Sequence, residues 1–124
     1  MEFKENKAIY LQIADRICDE ILTEKYRDEE RIPSVREYSA DVEVNVNTVM
    51  RAYDYLQQQD VIFTKRGLGY YVAHGARTVI ETIRRKEFFD VALSDLVRSM
   101  DTLGISIDEV VEKLHEMKKT LSTK

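Results

Sequence analysis

Several things are scarce in these 124 residues, and each scarcity removes a class of protein. One proline and four glycines leave no flexible linker and no low-complexity segment. A single cysteine, Cys18, cannot close an internal disulfide, and with His74 and His115 alone there is no Cys/His set at zinc-finger spacing, so no metal site is expected. Cys18 follows the apolar side of its helix and reads as a small buried hydrophobe. No apolar run approaches the ~18 residues of a membrane span. The start, Met1-Glu2-Phe3-Lys4-Glu5, lacks the basic-then-apolar order of a signal peptide, so a cytoplasmic location without a membrane partner is expected. A nucleophile elbow, a phosphate-binding loop and a paired His and Cys are missing too, which argues against an enzyme and against a cofactor. Net positive charge is absent: 19 Lys and Arg against 23 Asp and Glu give −4, which does not advertise a nucleic-acid partner. The deficit is uneven, however. Residues 1–76 hold 10 basic and 14 acidic residues, yet from Val61 to Arg77 Lys65, Arg66 and Arg77 stand with no acid among them. Within a Debye length of roughly 8–10 Å, that local sign is what a partner feels.

What is present is periodicity. Ile9, Ile13, Ile17 and Ile21 recur every four positions, predicting an amphipathic helix from Ala8 to about Lys25. A charged connector over residues 26–31 leads to Ile32-Pro33, and Ser34-Val35-Arg36-Glu37 is a capping box opening a short second helix. After the turn Val42-Glu43-Val44, Asn45 is a natural N-cap for a third helix reaching about Gln59, with Val44 and Val49 as its hydrophobic staple. The period then shortens. Val61-Ile62-Phe63-Thr64 and Tyr70-Tyr71-Val72-Ala73, separated by Gly67 and Gly69, read as a β-hairpin. From about Arg77 a long helix carries Phe89, Leu93, Leu96, Met100 and Leu103 at the spacing of a helix–helix seam. Ser106-Ile107-Asp108-Glu109 caps a last helix whose apolar face holds Ile107, Val110, Val111, Leu114 and Leu121. The fold class is mainly α with a small β-hairpin: a winged helix-turn-helix over residues 1–76, then a two-helix region over 77–124.

In such a motif the third helix turns one face to the core and another toward base edges. At 100° per residue, Val49, Ala52, Tyr53 and Leu56 cluster on one side, with Asn47, Arg51 and Asp54 opposite and Thr48 flanking. Asn can pair with adenine, Arg with guanine, and Thr with a base or phosphate. The N–H groups at the Asn45 end suit a phosphate. Lys65-Arg66-Gly67-Leu68-Gly69 forms a cationic hairpin tip whose glycines allow close backbone approach, as a wing on DNA requires.

These residues carry a family resemblance. Ala8 to Ala14, Ile32 to Glu37, Val44 to Val49, Arg51-Ala52-Tyr53 and Arg66 to Val72 resemble, in order, the signature blocks of GntR-family transcription regulators. A two-helix tail is similar to the YtrA type. The resemblance implies a double-stranded DNA partner, with Arg36 approaching from the second helix, Asn45, Asn47 and Thr48 on the recognition helix, and Gly67 and Gly69 in the wing. It also implies a homodimer. Val46 and Met50 depart from the family pattern at positions where relatives carry Arg or Pro, so the operator sequence does not transfer.

The resulting expectation is a cytoplasmic homodimeric repressor reading an inverted repeat. Arg36, Asn45, Asn47, Thr48, Arg51, Lys65, Arg66, Gly67 and Gly69 would face DNA. Phe89, Leu93, Leu96, Met100, Ile107, Val110, Val111 and Leu114 would form the dimer seam, a more economical reading than an effector pocket; no small-molecule effector is assigned. A winged helix serving only protein interaction is the alternative, favoured by the acidic balance and opposed by Asn47, Thr48, Arg51 and the basic wing.

Overall fold

Isoleucine at every fourth position makes one side of a helix continuously apolar, and in the computed structural model, which describes residues 2–122, it folds as α1, Ile9–Leu22. Ile13, Ile17, Cys18 and Ile21 are buried along it. The helix ends before the expected Lys25 because Thr23 closes it, its hydroxyl donating to the Asp19 carbonyl, and Glu24 turns into the left-handed region at φ 64°. Buried Gln12 donates to the carbonyls of Lys4 and Lys7 and accepts from the Lys4 N–H, lashing the N-terminal segment to α1.

The capping box forms as its sequence predicts: Ser34 Oγ accepts from the Glu37 N–H and Glu37 Oε1 from the Ser34 N–H, both at 3.1 Å, opening α2, Val35–Val42. The Ser34 N–H first, then the Ser34 hydroxyl, hold the Glu37 carboxyl below its ordinary range. Tyr38 donates to Glu20 Oε1 at 2.8 Å, tying α2 to α1; burial first, then this bond, push its hydroxyl far up. Glu43 at φ 56° reverses the chain into α3, Val46–Gln58. Val49 is fully buried there and Val44 packs on the same core, as a staple should.

Strands β1, Ile62–Lys65, and β2, Gly69–Val72, pair antiparallel with Ile62 opposite Val72 and Lys65 opposite Gly69. The charged connector is not merely a loop. Glu29 N–H donates to the Val72 carbonyl, Val72 N–H to Glu30, and Ile32 N–H to Tyr70, with Arg31 bridged to Tyr71. Residues 29–32 thus cover the edge of β2 that faces away from β1.

Helix α4, Ala76–Glu87, begins inside this first unit: Ala76 and Ile80 are buried in the core of α1–α3 and the hairpin, and Val79 and Ile83 pack on it. Asp28 accepts from the Gly75 N–H at 3.0 Å, and Arg77 donates to the Leu22 carbonyl that ends α1. The first unit therefore runs to Ile83, past the division at 76/77 that the sequence pattern suggests. The second unit starts at Arg84. The long helix expected from 77 to 103 is interrupted by a π-helical segment, Phe88–Ala92, before α5, Leu93–Leu103. The wider turn inserts an extra residue and re-aims every side chain after it. Gly104 at φ 68° ends α5, and Ser106 Oγ accepts from the Glu109 N–H at the start of α6, Ile107–Ser122. No residue of the π segment, α5 or α6 is buried. Among the described residues no helix is long and apolar enough to cross a membrane.

Candidate nucleic-acid interface

The inner face of α3 is anchored by Val49, Ala52, Tyr53 and Leu56, none more than 1% exposed. Its outward arc then carries Val46, Asn47, Met50, Arg51 and Asp54, all exposed, with Thr48 half-buried at the flank. Asn45 caps the helix: its Oδ1 accepts from the Asn47 N–H at 2.8 Å, and its carbonyl accepts from Thr48 and Val49. The phosphate cradle expected from N–H groups at this helix start is therefore largely occupied by the cap itself. The amide NH2 of Asn45 is what the side chain retains to offer.

Both flanks of α3 are clamped. On the α1 side the Arg51 guanidinium lies 4.0 Å above the Tyr10 ring, and Tyr10 meets Tyr55 edge-on at 6.3 Å. An exposed contact of this kind contributes about 0.5–1 kcal/mol. On the hairpin side Tyr70 donates to Met50 Sδ at 3.8 Å and packs edge-on against Tyr53 at 4.9 Å, while Gln57 Nε2 donates to Thr64 Oγ1 at 2.9 Å. Tyr53 in turn donates to the Pro33 carbonyl at 2.7 Å, and burial pushes its hydroxyl well above the ordinary range. Arg36 stands exposed in the first turn of α2.

At the hairpin tip Gly67 takes φ 77° with open space around it, and the Leu68 N–H closes a turn onto the Lys65 carbonyl. Gly69 has a second reason to lack a side chain. At φ 108°, a Cβ there would lie 3.0 Å from Arg31 Nε, and that guanidinium donates to the Leu68 carbonyl at 3.2 Å. Arg31 thus braces the tip from beneath, a role with no local sequence signal. Arg66 is exposed, whereas Lys65 lies back over Tyr71, with Nζ 4.5 Å from the ring, on a stacked Phe63–Tyr71 pair. Two members of the acid-free run, both exposed, are engaged away from the tip: Arg77 on the Leu22 carbonyl and His74 beside Asp28, Nδ1 to Oδ2 3.5 Å. The cations left at the tip are Lys65, Arg66 and Arg31.

In the second unit Phe89, Leu93, Leu96, Ile107, Val111 and Leu114 are exposed, and Met100 and Val110 only partly covered. Phe88 sits edge-on to Phe89 at 5.3 Å, and Phe88, Val91, Val97 and Met117 add to this apolar surface beyond the seam read from the sequence.

Helix-turn-helix, braced hairpin and a helix with an exposed outward arc define a winged helix-turn-helix, the class of DNA-binding transcription regulators. The model of bacterial regulatory proteins of the gntR family matches residues 9–72. The chain belongs to the GntR family. It is 32% identical over 111 residues to the HTH-type transcriptional regulator YhcF of Bacillus subtilis, covering 90% of each chain. Its YtrA-like character shows in 31% identity over 114 residues to the transcriptional repressor YtrA of the same bacterium, covering 92% of this chain and 84% of that one. Among solved structures, a GntR-family regulator from Bacteroides thetaiotaomicron is 50% identical with a TM-score of 0.78, covering 92% of this chain and 99% of that one. The AraR DNA-binding domain, solved in complex with operator ORR3, aligns at 26% identity and a TM-score of 0.53, over 59% of this chain and 86% of that one.

Proposed function

We propose that the chain is a cytoplasmic homodimeric repressor whose two copies read the halves of an inverted-repeat operator. The observation that carries this reading is the mounting of α3: a fully buried inner face, two clamped flanks, and Asn47, Thr48 and Arg51 on or beside the arc that remains. Asn47 pairs with an adenine edge, Thr48 contacts a base or phosphate, and Arg36 reaches the groove from α2. Arg51, drawn aside by Tyr10, serves a phosphate, as does the Asn45 amide. Lys65, Arg66 and the backbone at Gly67 and Gly69 follow the adjacent backbone or minor groove. The apolar residues of α5 and α6 are covered by the same residues of a second copy, because a self-complementary face closes a two-fold dimer. The solved complex of AraR with its operator supports the DNA-binding part of the proposal, and the repressor name of YtrA supports repression.

Selection of bound sequences from random duplexes at physiological salt tests it. An enriched inverted repeat is expected, with affinity falling as salt rises, because neutralising phosphates releases counterions. No enrichment and no salt dependence would instead favour a protein-interaction module, to which the net charge of −4 gives some support.

A further inference from the structure

Two side chains on the outward arc of α3 are apolar. Val46 and Met50, one turn apart, are 39% and 40% exposed beside Asn47. At 100° per residue both lie on the hairpin flank of the arc, and Arg51 lies on the other. Met50 is held in place: Tyr70 donates to its sulfur at 3.8 Å, and the Tyr70 ring is itself wedged against buried Tyr53. Methionine is otherwise a flexible side chain, so this restraint lowers the rotamer entropy lost on contact. Across the arc, the cation–π contact draws Arg51 toward Tyr10. The hairpin flank of the arc is therefore apolar, with the exposed Asp54 carboxylate and the Asn47 amide next to it. The Val46 side chain offers a guanine or cytosine edge no donor or acceptor, and the Met50 sulfur, a weak acceptor, is already taken by Tyr70. In the major groove an apolar side chain gains from one base-edge group, the C5-methyl of thymine.

We infer that Val46 and Met50 are specificity-determining residues that cover thymine methyl groups, so that the part of each half-site they face is A·T, with Asn47 on an adenine beside them. The inference rests on the DNA-reading role proposed for α3 and adds the base class it selects. Removing one covered methyl is expected to weaken binding about three- to fivefold.

Replacing thymines one at a time by deoxyuridine in the selected operator removes the methyl and keeps the hydrogen-bonding edge. The full chain is expected to bind about three- to fivefold more weakly at one or two such positions per half-site. Met50→Ala or Val46→Ala is expected to lose that factor on the thymine duplex and to become insensitive to deoxyuridine at its own position. Met50→Leu, still apolar, keeps the sensitivity. The inference is overturned if wild type binds every deoxyuridine duplex unchanged. Equal losses by the alanine variants on both duplexes would also overturn it, leaving Met50 as packing for Tyr70. Failure of the underlying reading looks different: no sequence is enriched from the random pool in the first place, and both proposals fall together.

Discussion

Valine, isoleucine, leucine and phenylalanine behave oppositely on the two sides of Ile83. Before it, Ile13, Val49, Val61 and Val72 are fully buried, and helices, hairpin and connector close around them. After it, Phe88, Val97, Leu103 and Leu121 are each more than half exposed, and no residue of α5 or α6 is buried. The same residue types thus complete a core in one unit and stand exposed in the other. A unit of three clamped helices and a hairpin has enough surface to bury; a short helical pair does not, and in the proposed dimer a second copy would cover it.

Cutting the chain gives the largest test of that contrast. A chain ending at Ile83 should keep the cooperative melting of the first unit yet bind the inverted repeat about 10²–10⁴-fold more weakly, since the second half-site is no longer tethered. Cutting at Gly75 removes buried Ala76 and Ile80 as well and should destabilise the fold itself by about 2–5 kcal/mol, read in a denaturant melt. Leu96→Asp places a charge in the proposed seam. It should cost several kcal/mol of association and give monomers by sedimentation, with the winged unit still folded. Val97→Ala in an isolated monomer should change its stability by no more than about 0.5 kcal/mol.

Within the first unit, Asn47→Ala should cost about 1–3 kcal/mol on the preferred site and flatten the preference at one base pair, whereas uniform weakening on all sequences would make Asn47 a phosphate contact. Gly69→Ala meets both an unfavourable φ and the Arg31 guanidinium, and should cost about 1–3 kcal/mol in a thermal melt. Gly67→Ala, with open space around it, should cost about 1–2 kcal/mol, from backbone strain alone. The smallest effect belongs to Arg66→Ala, which should lower the slope of log affinity against log salt by about 0.9 if that side chain neutralises one phosphate.

Local signals made much of the first unit readable in advance. The isoleucine period, the Ser34–Glu37 box, the Asn45 cap, the Val44–Val49 staple and the glycines of the hairpin each act within a few residues, and each stands where its pattern places it. The contacts that clamp the candidate interface are different in kind. Arg31 under Gly69, Tyr10 against Arg51, Tyr70 on Met50 and the pairing of residues 29–32 with β2 join positions far apart in the chain, and no periodicity encodes them. The charge run from Val61 to Arg77 was legible as composition but not as direction, since Arg77 turns onto the end of α1. The π segment was hidden for another reason: one extra residue in a turn leaves the apolar spacing on either side intact.

Sedimentation of the intact chain, free and with an operator duplex, bears most directly on the division of labour between the two units. The account predicts twice the mass of one chain at micromolar concentration without DNA, and two chains per duplex with it. A single chain at that concentration, binding the full inverted repeat no less tightly than expected of a dimer, would contradict it.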